Sequence, residues 1–160
     1  MKHLRNILLP FLLGLLSLPA LASSRNEVEQ ILALRTPPFG VVFEIAERDE
    51  KALRWAIPEV KGYVEKLRNR FPNIGLAVVT HGNEQFALMD EQRSSNQAVH
   101  DGVASLVDND VPVHVCGTNA SWRGKGRDDF PDYVDVTPAG PTEIRNYQAM
   151  GYRLVRVREK

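Results

Sequence analysis

Cys116 is the only cysteine in the 160 residues, so no disulfide can form within the chain. Its thiol is either a small apolar filler or a reactive group. The residues after it are compatible with reactivity. Gly117 lets the backbone turn tightly, and Thr118, Asn119 or Ser121 can cap a short helix whose first N–H groups then face the sulfur. A helix N-terminus with Arg123 and Arg127 nearby lowers a thiol pKa and favours the nucleophilic thiolate. His81, in the turn His81-Gly82-Asn83, is the second candidate. An imidazole there can accept the thiol proton or hold a sulfur-bound substrate. Catalytic roles therefore fall to Cys116 and His81, and binding roles to Gly82, Asn83, Gly117, Thr118, Asn119 and Arg123. His114 and Cys116 share a strand face but form only an isolated pair, which is short of a metal site. No phosphate-binding, dinucleotide-binding, GxSxG or HExxH motif occurs, and no cofactor is expected.

The elements that must position these groups alternate in type. Val41 to Ile45 is a β-branched run after Gly40, as a buried strand reads. Asp49 can cap a helix with Leu53, Ile57, Val60, Val64 and Leu67 on one face, and Pro58 predicts a kink or break in it. Residues 74–80 form a second strand, 84–90 a short helix, and Asn96 opens a helix carrying Val99, Val103 and Leu106. Residues 111–116 are the third strand and 134–136 the fourth, with a polar loop at 123–131 between them. Pro141 suits a first helical turn, Gly151 ends that helix, and residues 152–157 alternate as an edge or antiparallel strand would. Strands separated by helices predict a three-layer α/β/α sandwich around a mostly parallel sheet of about five strands. Ligands bind such sheets outside the carboxyl ends of the strands. His81 follows the second strand and Cys116 ends the third, so parallel pairing would put both on one rim.

The N-terminus speaks to destination. Lys2 and Arg5 precede an apolar run from Ile7 to Leu18, and Ala20-Leu21-Ala22 supplies a small-x-small cleavage pattern. The run is interrupted by Pro10 and Gly14 and falls short of the roughly 20 residues a spanning helix needs. Residues 1–22 are therefore expected to be a signal peptide cleaved after Ala22, which makes the chain periplasmic or otherwise exported, with no stable membrane anchor. Residues 23–38 read as a lead-in with a short amphipathic turn or two, and residues 39–160 as one α/β domain. The 20 basic and 20 acidic residues form no basic stripe, which argues against nucleic acid and for a small molecule or protein partner.

Three motifs together resemble the DsrE/DsrF-like proteins. Val113-His114-Val115-Cys116-Gly117-Thr118-Asn119-Ala120, followed by Arg123-Gly124, resembles that family's cysteine loop. Residues 136–144, with Gln148 and Gly151-Tyr152 after them, resemble its final helix and strand, and Val79-Thr80-His81-Gly82 fits its turn after the second strand. The likeness spans about residues 40–157. It implies a DsrE-like fold, a tendency to small homo-oligomers or related hetero-oligomers, and a persulfide on the cysteine matching Cys116 that is passed to a partner. The resulting expectation is an exported sulfur carrier taking sulfur from a small donor or partner protein. The alternative is a non-catalytic ligand-binding or assembly module with Cys116 merely packed.

Overall fold

The computed structural model describes residues 23–159. The signal peptide expected over residues 1–22 lies outside the described residues. Five strands form one sheet: β1 (Gly40–Ile45), β2 (Gly75–Thr80), β3 (Val113–Cys116), β4 (Asp135–Thr137) and β5 (Tyr152–Val157). Their order is β4-β3-β2-β1-β5, and every neighbouring pair is parallel. The alternating final strand is thus an edge strand, and the antiparallel option is corrected. The helices are α1 (Ser24–Leu32), α2 (Leu53–Arg70), α3 (Gln97–Val107), α4 (Gly117–Ser121) and α5 (Gly140–Ala149).

Crossover handedness explains the layers. The chain steps from β1 to β2 to β3 in one direction, so right-handed connections put α2 and α3 on the same face. The step from β4 to β5 runs back across the whole sheet, so α5 covers the opposite face. The main core lies on the first face, where Phe43, Ile45 and Val78 meet Leu53, Ile57 and Val103. The segment read as a lead-in contributes α1, whose Val28 and Ile31 are buried in that core, with the helix against β5 and α2. The α5 face is thinner: Val42, Ala77 and Val79 pack on Ile144 and Tyr147, flanked by Tyr152 and Leu154.

Several local expectations are corrected. Pro58 does not break α2, which runs through it for 18 residues. Proline forfeits one helical hydrogen bond, but Leu53, Ala56, Ile57, Val60 and Leu67 bury one continuous stripe on the sheet and outweigh that loss. Asp49 accepts from the Lys51 amide in the turn before the helix, and Ala52 occupies the cap position. Residues 83–92 form two 3₁₀ turns, Asn83–Leu88 and Asp90–Gln92, in place of one helix. Asn96 does precede α3, yet its carboxamide oxygen is taken by Arg54 and caps nothing.

Candidate functional site

Parallel pairing of β2 and β3 brings the two sequence candidates to the same rim. Thr80 pairs with Val115, so His81 and Cys116 are the next residues along adjacent strands. The N-terminus of α5 seals the junction. A β-carbon built on Gly140 would lie 2.6 Å from that of His81 and 3.4 Å from that of Cys116. Only a residue without a side chain lets α5 approach so closely.

Cys116 is 4% exposed, and its Sγ accepts the Asn119 N–H at 3.5 Å. The cysteine itself is the N-cap of α4, which begins at Gly117, so the expectation that Thr118, Asn119 or Ser121 caps the helix is corrected. Gly117 must be small because a β-carbon there would stand 2.9 Å from the Thr137 carbonyl. Thr118 anchors the loop by donating from both N–H and Oγ1 to the Pro138 carbonyl, at 3.0 and 2.7 Å. Asn119 ties the two loops together: its Nδ2 donates to the carbonyls of His81 and Gly82 at 3.1 and 2.8 Å.

The cations are placed differently from expectation. Arg123 pairs with Glu50 at 2.6 Å and lies 3.9 Å over the Phe86 ring, which belongs to the α2/α3 side of the sheet. Arg127 donates to the carbonyls of Phe130, Pro131 and Asp132. Short α4 carries the chain over the sheet edge, so these guanidinium groups serve the loop and do not face the sulfur. Gly82 and Asn83 hold the histidine turn. A β-carbon on Gly82 would collide with the Glu47 backbone, while Asn83 donates from its N–H to the Glu47 carbonyl and from Nδ2 to the Arg48 carbonyl.

Four further residues complete the site and were not singled out from the sequence. Glu44 projects from β1 beside His81, with Oε1 2.9 Å from His81 Nε2 and Oε2 3.1 Å from Arg156 Nε. The His81 hydrogen bond holds the Glu44 carboxyl below the usual 4.5, against its burial and with help from the charges of Arg156 and Arg158. One signal was available: Glu44 is the only charged residue in the strand Gly-Val-Val-Phe-Glu-Ile. Gln85 is fully buried and grips the Cys116 backbone with both ends of its amide, accepting the N–H at 2.8 Å and donating to the C=O at 3.2 Å. It continues the β2–β3 ladder after the β2 backbone has turned away. Glu84, also fully buried, accepts from Thr80 Oγ1 and from the amides of Gly82 and Glu47, although burial pushes its carboxyl up. Gly140 is the fourth.

His114 points to the same face as Cys116, and its Nε2 meets Tyr147 Oη at 2.9 Å. Burial lowers the His114 pKa and raises that of Tyr147 to about 12. The pair is an internally satisfied part of the α5 interface. Beyond Glu44, the open end of the β1–β5 junction is a crevice of about 370 Å³ lined by Glu44, Ala46, Glu47, Arg156 and Arg158 among others.

Comparison with known proteins bears on the fold. No protein-family profile matches the chain, and no curated protein does either. Among solved structures, MTH1491 from Methanobacterium thermoautotrophicum, a protein of unknown function, superposes with a TM-score of 0.59 at 25% identity. That match covers 72% of this chain and 96% of the other. The fold is DsrE-like. The ychN protein from E. coli also matches, with a TM-score of 0.49, 19% identity, and coverage of 73% of this chain and 98% of that one.

Proposed function

We propose that this chain is an exported DsrE-like sulfur carrier that uses Cys116 as a persulfide site. The observation that carries the reading is the convergence of Cys116 and His81 on Gly140 at the carboxyl rim of a parallel sheet. Two helix N-termini, those of α4 and α5, meet the strand ends there, an environment that favours developing negative charge. In the loading step the Cys116 thiolate attacks the terminal sulfur of a persulfide donor. The donor S–S bond breaks, a new S–S bond forms on Cys116, and the donor leaves as a thiolate that takes up a proton. An acceptor thiolate reverses the process by attacking the same outer sulfur, with the Cys116 thiolate as leaving group. Electrons balance with no external oxidant. His81 is suited to hold the transferred proton.

Delivery to a protein partner has a local support. Trp122, which immediately follows α4, stands 79% exposed, an aromatic of the kind that anchors interfaces. The reading includes export with cleavage after Ala22, a small sulfur donor or partner protein, and assembly into a small homo-oligomer. The second reading, a packed cysteine in a ligand-binding or assembly module, is favoured by one observation, the 4% exposure of Cys116.

The test is intact-mass measurement of the mature protein after incubation with a low-molecular-mass persulfide such as glutathione persulfide. The carrier reading expects one added sulfur per chain, absent in Cys116→Ser and removed by an acceptor thiol. No added sulfur, with iodoacetamide reacting only after unfolding, would leave the packed-cysteine reading standing.

A further inference from the structure

We propose that Glu44 is the positioning residue of this site, fixing the His81 imidazole with its proton on Nε2 and leaving Nδ1 unprotonated on the rim that His81 shares with Cys116. The inference rests on the reading that Cys116 reacts through its thiolate, and it starts from an anomaly in β1. A carboxylate in the middle sheet layer, with its side chain only 19% exposed, is costly unless paired and hydrogen-bonded. Glu44 has both kinds of partner. Arg156 is its register partner on β5, and His81 reaches it from the turn after β2. An ionised carboxylate only accepts, so the 2.9 Å contact requires Nε2 to donate. Among the described residues Nδ1 has no protein partner, and it is thereby the basic nitrogen of the neutral ring. A histidine whose tautomer is set by a carboxylate is the general arrangement by which an imidazole is aimed at a nucleophile.

The surroundings fit a set orientation. The backbone of the histidine turn is held by Asn119, which binds the His81 and Gly82 carbonyls, and by buried Glu84, which binds the Gly82 amide. Gly140 presses on the His81 Cβ from the α5 side. The backbone and Cβ of His81 are thus fixed by these contacts, and Glu44 holds the ring nitrogen. The charged group on the ring is Glu44 from β1, which in turn feels Arg156 and Arg158 from the β5 end, while Glu84 meets the backbone of the turn. A simple clamp between β1 and β5 would need only Glu44 and Arg156 and would leave His81 free to rotate.

The experiment uses the mature chain with ¹⁵N-labelled histidine and no sulfur donor. Ring-nitrogen shifts report the His81 tautomer, which should be Nε2–H alone in the parent. Glu44→Gln turns an acceptor into a potential donor at Nε2, so the single tautomer should give way to a mixture or to Nδ1–H. Glu44→Asp keeps the charge on a shorter arm and should restore it in part. Iodoacetamide labelling of Cys116 at pH 7 should slow roughly tenfold in both Glu44→Gln and His81→Ala, the equivalent of one unit of proton affinity. The double variant should be no slower than either single one. An Nδ1–H or mixed tautomer in the parent overturns the proposal with no variant needed. So does a Glu44→Gln protein that melts lower yet keeps the parent tautomer and labelling rate, because Glu44 is then only a β1–β5 clamp. Failure of Cys116 to accept sulfur, with the tautomer change intact, would remove the carrier reading and leave the Glu44–His81 assignment in place.

Discussion

Gly140→Ala tests the junction on which the site depends. The added methyl carbon would sit 2.6 Å from His81 Cβ, 3.3 Å from His81 Cγ and 3.4 Å from Cys116 Cβ. Carbon atoms prefer about 3.5–4.0 Å, so the closest contact is short by roughly 1 Å. A β-carbon has no torsion with which to escape, and either α5 or the histidine turn must move. Overpacking of this kind costs about 1–3 kcal/mol, a fall of several degrees in Tm for a domain of this size. Gly62→Ala is the matched control. Gly62 lies on the exposed side of α2 with nothing within 4 Å, and alanine in a helix interior is better than glycine by about 0.5–1 kcal/mol. Thermal melts should therefore move in opposite directions for the same chemical change. Iodoacetamide labelling of Cys116 should change in Gly140→Ala alone. A Gly140→Ala protein that melts at or above the parent would refute the packing argument and, with it, the claim that His81 and Cys116 are held together from the α5 side.

Gln85→Leu keeps volume but leaves the Cys116 N–H without its partner, while the C=O keeps its place as acceptor of the first turn of α4. An orphaned buried N–H costs about 1–3 kcal/mol, so urea midpoints should fall by a corresponding amount. A loss below about 1 kcal/mol would mean that water or another group replaces the amide. The acid side of the stability profile should show two windows. Burial lowers the pKa values of His100 and His114, so the unfolded chain binds protons first, and stability falls as pH drops below 6.5. Glu44, held below 4.5 chiefly by His81, contributes stability that is present above that value and lost as pH falls through its lowered folded pKa. The Tm difference between the parent and Glu44→Gln should consequently shrink below pH 4.5. A difference that stays constant down to pH 2 would show that Glu44 acts through packing and not charge.

The fold was legible because its information is local. β-Branched runs at 41–45 and 74–80, the stripe from Leu53 to Leu67 and the Pro141 and Gly151 bounds of α5 are each readable in short windows. Strand direction followed from having helices between strands, and with it the shared rim of His81 and Cys116. What stayed hidden spans long separations. Gln85 serves a backbone 31 residues away, and Glu44 a ring 37 residues away. No window contains both partners. The misplaced arginines fail for a related reason. Their closeness to Cys116 in sequence suggested closeness to its sulfur, but α4 is only five residues long and delivers Arg123 to Glu50 across the sheet edge.

The reversal between β4 and β5 links these observations. Had the chain continued to add strands beyond β4, right-handed crossovers would have kept every helix on the α2/α3 face, and the Cys116 face would have lacked α5. The return across the sheet places α5 over that face with its N-terminus at the rim, so that Gly140 contacts both candidate residues. It also makes β5 the neighbour of β1, which sets Arg156 beside Glu44 and makes a half-buried carboxylate tolerable. The same connection thus supplies the lid over the cysteine and the counter-charge for the residue that aims the histidine. The pairing of Cys116, His81 and Glu44 is therefore a consequence of topology, which is why three residues dispersed over 73 positions can be read as one site.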